Sequence, residues 1–188
     1  MADIEYRFGD SFVGTDVCLF VAGGFVAGGS YFIFSFDPMM KIVLIGAGNV
    51  ATHLGIALQK AGCLILQVYS RTEESASALA ARLSVDYTIV PDEIRRDADL
   101  YIVALKDAVL RQLAPVLVKG REQALFVHTA GSMSMDLWKG LVKRYGVLYP
   151  MQTFSKQREV DFNTVPFYRS ICSGRSGIAA YGGSSSQS

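Results

Sequence analysis

Residues 41–55 read Lys-Ile-Val-Leu-Ile-Gly-Ala-Gly-Asn-Val-Ala-Thr-His-Leu-Gly, and this stretch constrains the fold more than any other in the chain. A run of aliphatic residues meets Gly46, Gly48 and Ala51 in G-x-G-x-x-A spacing, and helix-compatible residues follow over 52–60. That order reads as a buried parallel strand, a tight turn and a helix N-terminus. Gly46 permits the turn, Gly48 lets the backbone approach a pyrophosphate, and Ala51 lets the helix pack closely on the strand. The N–H groups of the first helical turn and the positive end of the helix dipole favour phosphate there. Gly46, Ala47, Gly48, Asn49, Val50 and Ala51 are therefore expected to hold the pyrophosphate of a dinucleotide.

Composition narrows the alternatives. Eighteen basic residues against 17 acidic ones leave a net charge of +1, so no basic field argues for nucleic acid. Cys18, Cys63 and Cys172 lack metal-ligand spacing, as do the two histidines. They read as free thiols in a reducing, cytoplasmic setting, with no metal site expected. Residues 17–36 form an uncharged run that reaches the roughly 20 residues a spanning helix needs. Its four glycines weaken a helix, and no Lys or Arg flanks its start as in a secretory leader. A hairpin-like or disordered apolar segment fits as well. Met39 and Met40 stand directly before the first strand of the glycine motif, where such a chain often begins. Residues 1–38 are therefore expected to be an extension outside the core rather than a membrane anchor. Residues 39–167 would form the domain, and 168–188, rich in Ser and Gly, a disordered tail.

Residues 64–69 (Leu-Ile-Leu-Gln-Val-Tyr) read as the second strand, after a helix that stops at Gly62. NAD-binding versions of the motif place Asp or Glu about 20 residues past the glycines, on the ribose hydroxyls. Here Ser70-Arg71-Thr72 stands at that point, with no acid. Two hydroxyls and a planar guanidinium fork suit a 2′-phosphate, so NADP is the expected cofactor. Thr72 is also placed to cap the helix expected over 73–83. A short strand over 87–90, a helical turn at Pro91-Asp92-Glu93 and a continuous apolar strand over 100–105 follow. Leu105 and Lys106 are expected beside the nicotinamide ribose, and Asp107 is expected to cap a helix to 118. Residues 124–128 give a fifth strand, Ser134 the cap of a helix over 135–145, and 146–150 a sixth strand stopped by Pro150. His128 and Lys106 are the candidates for catalysis. Beside that role stands a plainer one for each, a loop hydrogen-bonder and a solvated lysine.

Strands alternating with helices imply an α/β, Rossmann-type doubly wound, mainly parallel sheet, with poorly ordered N- and C-terminal extensions. Residues 40 to about 167 resemble the Rossmann-like NADP oxidoreductase family that has a DUF2520 C-terminal domain. That family is related to pyrroline-5-carboxylate reductases and F420-dependent NADP reductases. The resemblance is carried by Gly46-Ala-Gly48-Asn49-Val50-Ala51 with His53-Leu54, and by Tyr69-Ser70-Arg71-Thr72. His128-Thr129-Ala130-Gly131-Ser132 and Tyr149-Pro150-Met151-Gln152-Thr153-Phe154 complete it. Tyr149 stands where the family usually has histidine. The resemblance implies hydride transfer between NADP(H) and a small carbonyl or imine. In related reductases a helical second domain makes homodimer contacts and closes the active site, and a Gly/Ser tail stands at that point here. The expectation is a nucleotide-binding half with little turnover alone. The alternative is a non-catalytic NADP(H)-binding sensor or regulatory module.

Overall fold

The computed structural model describes residues 20–26, 29–35, 39–150 and 167–173. Strands β1 (Phe20–Val26) and β2 (Gly29–Ser35) pair antiparallel as a hairpin, one of the forms the apolar run allowed. Among the described residues no helix is long and apolar enough to cross a membrane.

The glycine motif begins with β3 (Lys41–Ile45) and continues into α1 (Asn49–Lys60). Then come β4 (Leu64–Tyr69), α2 (Glu73–Leu83), the short β5 (Asp86–Thr88) and a 3₁₀ turn at Pro91–Glu93. Strand β6 (Leu100–Val103), α3 (Asp107–Val118), β7 (Leu125–His128), a 3₁₀ turn at Met135–Trp138 and β8 (Arg144–Pro150) follow. The sheet order is β5-β4-β3-β6-β7-β8, all parallel, with β9 (Phe167–Ser173) added antiparallel on the β8 edge. This is a Rossmann-like α/β fold. Chain order reverses between β3 and β6, which makes the carboxyl end of β3 the topological switch point.

The two faces of the sheet explain the unbroken apolar strands. Ile42, Leu44, Leu100, Ile102, Leu125 and Val127 pack under α1 and α2. Their neighbours Val43, Ile45, Tyr101, Val103 and Phe126 pack on the opposite face with Leu110, Leu117 and Trp138. With both faces covered, alternation carries no polar residues. Tyr101 stacks on Phe126 at 4.6 Å between ring centroids, and Trp138 tilts against Phe126 at 5.4 Å. On the other face α1 lies close to the sheet. A Cβ added at Gly55 would stand 2.8 Å from Leu44 Cδ1 and 2.9 Å from Leu83 Cδ1.

Three expectations are corrected. The helix expected over 135–145 is a single 3₁₀ turn, capped by Ser134, whose hydroxyl accepts from the Asp136 N–H. Gly140 at φ +81° breaks the helical path, and the chain enters β8 at Arg144. Asp107 does not cap α3, because Lys106 holds the cap position in extended backbone and Asp107 is the first helical residue. The tail expected from 168 begins instead with β9, whose backbone pairs with β8 from Arg144↔Ser173 to Pro150↔Phe167. Open ladder groups on an edge strand favour such a partner. Residues 1–19 and 174–188 lie outside the described residues.

Candidate functional site

Gly46 sits between the carboxyl ends of β4 and β6. Its N–H donates to the Tyr69 carbonyl at 2.7 Å, and Ala104 N–H donates to Ile45 O at 2.7 Å. With φ +114°, Gly46 turns the chain in a region L side chains rarely enter. A Cβ there would overlap the Ala104 carbonyl oxygen and stand 2.9 Å from the carbonyl carbon. Gly48 is different, since a Cβ there would meet nothing within 4 Å. Its face is open, so packing among the described residues does not account for a glycine there. Beyond it, α1 has no acid in its first turn, and Val50 and Ala51 occupy first-turn positions whose N–H groups have no acceptor within a helix. Thr52 closes the turn through its N–H and its hydroxyl, both 2.9 Å from the Gly48 carbonyl. Open backbone, a helix N-terminus and no competing carboxylate fit a pyrophosphate.

Residues 70–72 follow β4 beside this turn. Ser70 is buried, its N–H 3.3 Å from Thr88 O, while Arg71 and Thr72 are exposed. Thr72 holds the cap position of α2, yet its side chain makes no capping bond. Arg71 has no carboxylate partner among the described residues. A hydroxyl and an exposed guanidinium beside the glycine turn fit a phosphate on the adenosine ribose.

The other side of the switch point is built from the ends of β6, β7 and β8. Leu105 is half-buried and Lys106 exposed. The Ser132 hydroxyl donates to the Asp107 carboxylate, and Arg111 Nε donates to Met133 Sδ at 3.3 Å. These bonds tie residues 129–134 to the N-terminal part of α3. His128 is fully buried beneath that loop, with Nε2 3.4 Å from the Ser134 carbonyl and its ring 6.3 Å from Trp138. It is placed to hold the loop. Lys106 and Asp107 are left as charged side chains at this edge, and among the described residues no three His, Cys, Asp or Glu side chains converge as metal ligands. A recess of about 430 Å³ lined by Ile65, Ala80, Ser84 and Asp86 lies toward the amino end of β4, away from this edge. Sequence reading missed the contact of Tyr149 with Gly131, since no spacing links a glycine to an aromatic ring 18 residues later.

Burial holds the His128 imidazole below the ordinary histidine range, against the smaller opposing effects of the Ser134 carbonyl and the Asp107 carboxylate. The unfolded chain then takes up its proton first as pH falls. The stability tied to neutral His128 is complete above about pH 6.5 and declines below it, through the lower folded value. His128→Gln is therefore expected to flatten the fall in unfolding free energy between about pH 7 and 5, measured by urea titration. An unchanged slope would place the acid sensitivity elsewhere.

Residues 41–143 match the family model described as NADP oxidoreductase, coenzyme F420-dependent. No curated protein matches the chain. A solved structure from Bacteroides fragilis, provisionally named an NADP oxidoreductase, is 55% identical with a TM-score of 0.70. That match covers 72% of this chain and 53% of the other. Prephenate dehydrogenase from A. aeolicus, solved with hydroxyphenyl propionate and NAD+, is 20% identical (TM-score 0.55; 63% of this chain, 44% of that one). A variant imine reductase from Myxococcus stipitatus with NAD+ is 20% identical (TM-score 0.51; 61% and 42%). The last two bear on the fold alone. The chain spans about half the length of the Bacteroides protein.

Proposed function

The chain belongs to the NADP oxidoreductase, coenzyme F420-dependent family, and on that premise we propose that it binds NADP(H) and takes part in hydride transfer to or from a small carbonyl or imine. One observation carries this reading. The open Gly48 face and the α1 N-terminus stand beside an exposed Arg71 that has no carboxylate partner among the described residues. When bound, the nicotinamide supplies the hydride chemistry, and the protein supplies binding and orientation. Gly46, Ala47, Gly48, Asn49, Val50 and Ala51 hold the pyrophosphate. Ser70, Arg71 and Thr72 hold the 2′-phosphate, which favours NADP over NAD. Leu105 and Lys106 border the nicotinamide ribose. The substrate half falls to a DUF2520-type helical domain, which in related reductases also makes the homodimer. The scattered cysteines favour a cytoplasmic setting.

A second reading, a non-catalytic sensor of NADP(H), is favoured by the burial of His128, which keeps that imidazole from reaching a substrate at the nicotinamide side. The two separate in a steady-state assay of NADPH oxidation over a panel of small ketones, aldehydes and cyclic imines. Turnover with any of them supports the oxidoreductase. Tight NADPH binding without turnover, also in a version of the protein carrying a second domain, supports the sensor.

A further inference from the structure

We propose that Tyr149 is the aromatic wall of the half-site that receives the nicotinamide ring, and that Gly131 exists to let it stand there. The inference rests on the NADP reading above and deepens it. Sheet order decides which end of a dinucleotide lies where. Arg71 follows β4, so the phosphorylated adenosine half lies over β4 and β5. An extended dinucleotide crosses the switch point at Gly46, so its other half lies over the carboxyl ends of β6, β7 and β8.

At those ends Val103 and His128 are buried, and Thr129 is nearly so. Tyr149 is 38% exposed between buried Leu148 and Pro150. Within residues 39–150 it is the one exposed aromatic at these ends. Its ring is positioned by the neighbouring loop, since a Cβ on Gly131 would stand 2.7 Å from both Cε2 and Cζ of Tyr149. That loop is fixed in turn. Ser132 is bonded to Asp107, Met133 to Arg111, and the Ser134 carbonyl faces His128. On the far side, β9 closes the β8 ladder at Tyr149↔Tyr168. A planar ring seated against backbone, with part of its surface open to water, presents the surface on which a flat heteroaromatic packs.

The test titrates the wild-type chain, Tyr149→Ala, Tyr149→Phe and Gly131→Ala with NADPH and with adenosine 2′,5′-bisphosphate, which carries the adenosine half alone. Tyr149→Ala and Gly131→Ala are expected to weaken NADPH about fivefold while leaving the bisphosphate within about twofold. Tyr149→Phe, which keeps the ring, retains NADPH affinity. Unchanged NADPH affinity in Tyr149→Ala overturns the proposal, as does an equal loss of both ligands. Should Gly131→Ala fail to fold, the exposed Tyr149 variants decide the matter alone. Failure of the wild-type chain to bind either ligand overturns the NADP reading itself, and this inference with it.

Discussion

Gly46→Ala is expected to lower folding stability by about 3 kcal/mol, from strain at positive φ and overpacking of roughly 1–3 kcal/mol each. The residue stands at φ +114°, and a methyl there overlaps the carbonyl oxygen of Ala104. That carbonyl belongs to the chain segment leaving β6, whose Ala104 N–H is bonded to Ile45 O at 2.7 Å, so it has little room to retreat. The turn also loses the geometry that aims Gly48 and α1 at a phosphate, and NADPH binding goes with it. Gly48→Ala separates the two effects. Its backbone is ordinary at φ −77° and its Cβ meets nothing within 4 Å, so stability changes by less than about 1 kcal/mol. Nucleotide binding still falls, because the methyl occupies the face a pyrophosphate approaches. Urea unfolding and NADPH titration of both variants check the pair of outcomes. Loss of stability at Gly48 equal to that at Gly46 would contradict the account.

Arg121 gives the second large effect, in a part of the fold remote from the nucleotide. Its side chain is 4% exposed and has no carboxylate partner among the described residues. Every donor instead meets a backbone carbonyl. Nε donates to Arg95 O at 3.1 Å, Nη1 to Leu117 O and Lys119 O at 3.1 Å, and Nη2 to Ile94 O and, at 3.4 Å, to Pro91 O. These carbonyls include the ends of α3 and of the Pro91–Glu93 turn, where the helix dipole is negative. The guanidinium thus joins the end of α3 to the segment that leads into β6. Arg121→Ala removes one donor group from several buried acceptors, at about 4 kcal/mol in total. Arg121→Lys keeps the charge but has a compact ammonium in place of the fork, so it restores less than half. Thermal and urea unfolding of the two variants measure this. A cost under about 1 kcal/mol for alanine would mean that water satisfies the carbonyls instead.

These two sites mark what was legible in the sequence. Gly46 was readable because a strand, a turn and a helix each demand distinct residues within a few positions, and β3, β4 and α2 lie where those demands place them. Arg121 was not, because Lys119-Gly120-Arg121 has the look of a solvated turn and its partners lie up to 30 residues away. The helix expected over 135–145 failed for a local reason. Leu137, Trp138, Leu141 and Val142 follow helical spacing, yet they serve one 3₁₀ turn and the chain after it, and Gly140 was the overlooked signal. Asp107 shows the same limit at one residue. Its type suits a cap, but the helix starts one position earlier than that role requires, and its carboxylate takes the Ser132 hydroxyl instead. On the candidate site, the cofactor side was written in a contiguous motif. The pairing of Tyr149 with Gly131 depends on strands β7 and β8 lying side by side, which spacing alone does not reveal.

The central claim is that this chain binds NADP(H) through the glycine turn and Arg71. It is tested most directly by titrating the purified chain with NADPH and NADH beside Arg71→Ala. NADPH is expected to bind at least about tenfold tighter than NADH, and Arg71→Ala to remove roughly 1.4 kcal/mol or more of that preference. Equal affinity for the two nucleotides, or a preference that survives Arg71→Ala, would contradict it.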